Sequence, residues 1–192
     1  MSKQLEKGVT FIVISYLEHW EAYMFIGAML CQTNPNWKII IWHDDPNWKL
    51  RSIVEQFEDP RITYVETPNR GAYGAYNRID ALEMVDTEFV VQTTIQEYYI
   101  PVAVEKILEN SDNDVVYWST IHHSFGYSVL NSSLKIRAID WSNFAMKTEI
   151  ARKVGIKQPA EYCADGIFVE DCVKSGLLKK QLKLPIIMSI KN

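Results

Sequence analysis

The sequence is poor in the residues on which several functional classes depend. Its three cysteines, Cys31, Cys163 and Cys172, are an odd number among 192 residues and form no CxxC pair. That argues against a disulfide framework or a structural zinc site and fits a reducing compartment. The eight glycines make neither a GxGxxG run nor a P-loop, so the common nucleotide-binding signatures are missing. Lys and Arg (20) are outnumbered by Asp and Glu (24), for a net charge of −4. No chain-wide basic footprint for nucleic acid exists, although this leaves room for a local patch. The apolar run at 9–16 is too short for a membrane span or a signal segment, and the residues before it are charged and polar. The expectation is a cytoplasmic protein without a membrane anchor.

What is present is an ordinary globular composition, 47% hydrophobic and 23% charged, which excludes disorder, collagen and coiled coil. The length suits one domain, 1–192. Ten tyrosines and six tryptophans are flat amphipathic rings that suit a wall for sugars or bases, and equally a core.

Periodicity divides the first half into alternating strands and helices. Apolar, β-branched runs at 9–16, 37–43, 61–66, 88–93 and 114–119 read as strands. Helices are expected at 18–32, from the 44–47 turn to Phe57, at about 76–85, and from Pro101 to Glu109. This order predicts an α/β fold with a parallel, doubly wound sheet flanked by helices. The second half is less regular. A polar-aromatic loop is expected at 121–131, an alternating strand at 134–140, helices at 147–154 and 161–175, and a final strand at 182–190.

Ligands of such sheets bind beyond the carboxyl ends of the strands. That rim carries Ser15-Tyr16, His43-Asp44-Asp45, the loop 67–74, and Thr93–Glu97. Asp44 and Asp45 can accept hydrogen bonds from a ribose or base edge, or shape a helix cap. The loop with Gly71 and Gly74 leads into a helix carrying Arg78, which makes either an anion site or a solvated surface turn. Asp165, four residues after Glu161 at the head of the last helix, suits a general base or a dipole-favouring acid. The adjacent His122 and His123 lack metal-ligand spacing, so a structural or ligand-contacting role is expected there.

Taken together, these segments resemble the GT-A glycosyltransferases of family 2 from Val9 to Gly176. Ile14-Ser15-Tyr16 stands where the family has a Pro-Thr-Tyr-like turn. Trp42-His43-Asp44-Asp45-Pro46 is similar to its His-Asp-Gly-Pro variant. The stretch from Gly71 to Arg78 resembles its glycine-rich turn, and Tyr98-Tyr99-Ile100-Pro101 the segment after its acidic motif. Ser142–Lys147 resembles its acceptor-side strand, and Ala164-Asp165-Gly166 through Gly176 its base-bearing helix.

The resemblance implies a GT-A (Rossmann-like), mostly parallel sheet, with a donor half at about 1–119 and an acceptor half at about 120–192. It implies a nucleotide-sugar donor, a UDP-sugar first, held by Ser15, Tyr16, Asp44, Asp45, Arg78, Gln96 and Glu97. Asp165 would be the base of an inverting transfer to an acceptor hydroxyl. Trp118, His122, His123 and Trp141 are the candidates for lining the acceptor, which is a carbohydrate or another hydroxyl-bearing molecule, with nucleic acid left open. One departure stands out. Where the family has an acidic metal motif, this chain has Thr93-Thr94-Ile95-Gln96-Glu97, and hard divalent cations want several oxygen ligands, carboxylates among them. No metal ligand is therefore assigned. Metal-free transfer, a different site using Glu97 and a histidine, or a degenerate domain that binds nucleotide, glycan or a protein partner all follow. A nucleotidyltransferase is disfavoured, because two-metal chemistry needs paired carboxylates.

Overall fold

The computed structural model describes residues 4–17, 19–46 and 48–191. Glu18, where the first helix was expected to begin, and Asn47 of the following turn lie outside them. Strands β1 (Glu6–Ser15), β2 (Trp37–Asp44), β3 (Ile62–Thr67) and β4 (Thr87–Thr94) alternate with helices α1 (Glu21–Leu30), α2 (Trp48–Glu55) and α3 (Ala75–Met84). Then come β5 (Glu97–Tyr99), α4 (Ala103–Glu109), β6 (Val115–His122), β7 (Ser128–Leu130), β8 (Phe144–Lys147), α5 (Thr148–Val154), α6 (Ala164–Lys174) and β9 (Gln181–Lys191).

The continuous apolar runs exist because the central strands are covered on both faces. Val9, Phe11 and Val13 of β1 pack with Phe25, Leu50 and Val104 of α1, α2 and α4. Ile12 and Ile14, pointing the other way, pack with Leu82, Ala151 and Phe168 of α3, α5 and α6. Each such Val, Leu, Ile or Phe side chain contributes ~1.5–3 kcal/mol on full burial. Among the described residues no helix is long and apolar enough to cross a membrane.

The sheet runs β3-β2-β1-β4-β8-β6-β9-β5, with β7 paired to β6. The expected parallel order holds for β1 to β4. Beyond β4 the sheet is mixed: β8 is antiparallel to both β4 and β6, and β5 is antiparallel to β9. β5 ends the far edge, yet only Ile95 and Gln96 separate it from β4. Three Cα steps span about 11 Å at most. The sheet therefore curls and returns its far edge to the carboxyl end of β4, setting Lys191 opposite Glu97.

Two expectations fail in the second half. Residues 134–140 form no strand. Ser133 N donates to Ala138 O at 2.8 Å and Ala138 N to Lys135 O at 3.1 Å, and Arg137 has φ 63°, so local turns take the backbone groups that a ladder would need. The last helix starts at Ala164 rather than Glu161. Glu161 sits in the preceding turn, donating its N–H to Gln158 O at 3.3 Å, and shares no helix face with Asp165.

Gly166 fixes how α6 enters the fold. A Cβ there would lie 2.6 Å from Ile136 Cα, and Ile136 N donates to Glu170 Oε1 at 3.1 Å. Because the obstacle is backbone, Gly166→Ala is expected to cost ~1–3 kcal/mol. Gly27, inside α1 with open space around it, is the control. Gly27→Ala is expected to stabilise by ~0.5–1 kcal/mol. Urea denaturation of both variants checks the contrast.

Candidate functional site

A cleft of about 730 Å³ opens at the carboxyl ends of β1, β2 and β4, with Tyr16, Asp44, Thr94 and Gln96 in its wall. The turn from Gly71 to Gly74 and Ala160 also line it. Asp44 is buried at the end of β2, and its Oδ1 accepts from Arg70 N at 3.0 Å. This bond ties the carboxylate to the loop after β3 rather than to a helix start. Gly74, at φ 73°, lets α3 approach β1 closely: a Cβ would sit 2.3 Å from Ile14 Cγ2. Ser15 is buried at the strand end, whereas Asp45 is exposed with φ 112°. Neither forms part of the cleft wall.

Beside the cleft lies a buried polar cluster, reached from its wall by three short stretches of chain. Gly74 leads by one turn of α3 to Arg78, Gln96 is followed by Glu97, and Ala160 leads to Asp165. Arg78 is 2% exposed, and its Nε and Nη1 have no hydrogen-bond partner. Its guanidinium lies 5.2 Å from the centre of the Trp141 ring. Burial pulls its pKa down to about 10, against the opposing pull of Asp140 and Asp165.

Asp165 is half-buried in the first turn of α6, and its Oδ1 accepts from Gly166 N at 2.7 Å. Burial, with Asp140 nearby, raises its pKa to about 6, while Gly166 N–H, Lys191 and Arg78 restrain the rise. Burial raises Glu97 to about 8 against the attraction of Lys191, whose Nζ is 3.7 Å away. Lys191 Nζ donates to Asp140 Oδ2 at 2.7 Å. Burial pushes Asp140 up, but Lys191 and the Ser142 N–H outweigh it and leave the carboxyl below its usual range.

The expected acceptor residues separate. Trp141 joins the cluster. His122 Nδ1 accepts from Ser124 N at 3.1 Å, and its ring stacks on His123 with centroids 5.1 Å apart. Burial and Lys191 lower the His122 pKa. Trp118 is a correction: it is fully buried, packs edge-on to Tyr99 and directs Nε1 to Ser189 Oγ at 3.3 Å, so it is core and cannot line an acceptor.

Sequence reasoning missed Thr94, Asp140 and Lys191. Thr94 Oγ1 is buried without a partner in the rim segment whose sequence directs attention to Gln96 and Glu97. Asp140-Trp141-Ser142 carries a local signal, since the Asp140 side chain accepts from Ser142 N at 3.2 Å as a turn cap. Lys191 carries none, because only the sheet curl brings it to Glu97.

The segment after β4 does not fit a family-type metal site. Ile95 is 1% exposed in the core, Gln96 is neutral, and Glu97 is enclosed against Lys191. Among the described residues no group of three His, Cys, Asp or Glu side chains is placed to hold a metal ion.

The raised Asp165 pKa has a consequence for stability. A carboxyl that holds its proton more tightly when folded costs stability once it must ionise, a cost absent below about pH 4 and complete above about pH 6. Asp165→Asn is therefore expected to stabilise the protein at pH 8 by ~1–3 kcal/mol. The gain fades as pH falls through 6 towards 4, as urea unfolding at the two extremes would register.

The fold has close solved counterparts at low identity. S. aureus TarS residues 1–349 in complex with UDP superposes with a TM-score of 0.81 at 12% identity, over 95% of this chain and 60% of that one. The same protein with UDP-GlcNAc gives 0.80 at 12% identity, over 95% and 58%. The mannosyltransferase PcManGT from Pyrobaculum calidifontis, in complex with GDP-Man and Mn2+, gives 0.71 at 16%, over 97% and 57%. The chain thus spans about 60% of the length of these structures. No protein of curated function matches it. The profile of glycosyl transferase family 2 matches residues 10–168, and the chain, with its curled GT-A sheet, belongs to that family.

Proposed function

We propose that this chain transfers a sugar from a nucleotide-sugar donor to an acceptor hydroxyl with inversion. The observation that carries the reading is the pairing of a buried guanidinium that has unused N–H donors with a half-buried carboxyl beside the cleft. A UDP-sugar is the first donor to test, because TarS is solved with UDP and with UDP-GlcNAc.

In this reading Tyr16 and Asp44 hold the nucleoside. The Arg78 guanidinium faces the diphosphate, where its spare N–H groups meet the charge that grows as the donor bond breaks. Asp165 is ionised above about pH 6. It takes the proton from the acceptor hydroxyl as that oxygen bonds to the anomeric carbon. The bond from that carbon to the diphosphate oxygen breaks, and its electron pair leaves with the nucleoside diphosphate. The burial that raises Asp165 brings its proton affinity closer to that of a useful base at neutral pH. No step passes through a metal, since the segment after β4 does not fit one.

Three outcomes are expected. Asp165→Asn lowers turnover by about 10²–10⁴-fold, with UDP affinity by calorimetry held within a few-fold. In the unmodified protein kcat climbs about tenfold per pH unit below pH 6 and levels above it. A chelator leaves transfer largely intact, whereas complete loss restored by Mn2+ would contradict this chemistry.

A further inference from the structure

Two of the most exposed aromatic side chains of the molecule meet at the cleft. Tyr73 is 80% exposed and Tyr162 90%, and their rings lie edge to face, with centroids 6.3 Å apart and planes at 82°. They come from different halves of the chain. Tyr73 sits in the turn between β3 and α3 and forms part of the cleft wall. Tyr162 lies two residues after Ala160 of that wall and three before Asp165. Three Cα steps place it within about 11 Å of the carboxylate's own backbone.

The backbone under Tyr73 is strained. Gly71, Ala72, Tyr73 and Gly74 have consecutive φ values of 70°, 54°, 51° and 73°. A left-handed conformation costs a non-glycine residue about 1–2 kcal/mol, and a ring left in solvent gains too little burial to offset it. Strain of this kind, beneath an exposed ring in a cleft wall, clusters at ligand sites. An edge-to-face pair covers at most one face of one ring, so the remaining faces stay open to a flat apolar surface.

The charges around the pair select the kind of ligand. Arg70, the cation of the Tyr73 loop, is ion-paired with Asp80. Lys157, the cation of the Tyr162 loop, lies 3.7 Å from Asp171. The charge next to Tyr162 is the exposed Glu161. Rings flanked by an acid, with both nearby cations already in ion pairs, do not suit an acidic glycan. They suit a neutral sugar, whose C–H face stacks on tyrosine and whose hydroxyls donate to a carboxylate.

We propose that Tyr73 and Tyr162 form the acceptor platform, a two-jawed aromatic clamp that takes a neutral pyranose of an oligosaccharide and presents its hydroxyl to Asp165. The inference rests on the glycosyl-transfer reading above and narrows its acceptor to neutral carbohydrate.

The test reads binding rather than turnover. The full chain is applied to an array carrying neutral oligosaccharides, uronic-acid oligosaccharides, single-stranded RNA and serine- or threonine-containing peptides, with UDP affinity measured in parallel by calorimetry. Retention on neutral oligosaccharides is expected, falling about tenfold in Tyr73→Ala and in Tyr162→Ala. Tyr73→Phe and Tyr162→Phe should stay near the unmodified protein, and UDP affinity should remain within twofold in both Tyr162 variants, whose side chain is not part of the cleft wall. Undiminished retention in both alanine variants, retention only on the acidic, RNA or peptide spots, or no retention at all would overturn the platform. Failure of the unmodified protein to bind UDP would instead overturn the donor reading.

Discussion

The structure turns on one charge taken out of water. Arg78 is buried on α3 with two guanidinium nitrogens unpartnered, and an uncompensated buried ion costs several kcal/mol. Its compensation is long-range and drawn from distant parts of the chain: Asp140 from the turn before β8, Asp165 from the head of α6, and the face of Trp141. The same arrangement leaves Asp165 short of solvation and raises its pKa. A guanidinium that lacks donors' partners and a carboxylate that lacks water are complementary defects. In the proposed reaction a bound diphosphate and an acceptor hydroxyl would relieve both.

Sheet curl makes this meeting possible. The parallel strands β1 to β4 build the cleft rim in the manner of other α/β sheets. The antiparallel β8 then turns the sheet towards β6 and β9, and β5 joins the far edge back to the end of β4. Glu97 and Lys191 consequently face one another across a strand pair, and Lys191 also holds Asp140 at 2.7 Å. An internal ammonium, 3.7 Å away, therefore faces the one acidic side chain left in the segment that resembles the family's acidic motif.

The first half was legible because each element had a physical reason to show itself locally. Strands covered on both faces are written as unbroken apolar runs, and Asn34-Pro35 and Asp59-Pro60 mark where helices must stop. Asp44 was legible as a rim residue for the same reason, whereas Arg78 took its donor role from the family resemblance and lies buried on α3 behind the cleft wall. The second half hides its logic in long-range contacts. The apolar and polar residues at 134–140 alternate like a strand, yet Arg137 turns the chain and Ile136 seats α6. Trp118 carries the same amphipathic ring as Trp141, and only the fold decides that one lies in the core while the other faces a guanidinium. Glu161 and Asp165 are spaced for one helix face, but the helix begins between them.

The most direct measurement is an NMR spectrum of the Arg78 Nε–H in protein with ¹⁵N-labelled arginine, recorded with saturating UDP and with saturating uridine. If the buried guanidinium receives the donor diphosphate, UDP moves this resonance and slows its exchange with water, and uridine does neither. An Arg78 signal that ignores UDP, or that responds equally to uridine, would contradict the assignment on which the chemistry is built.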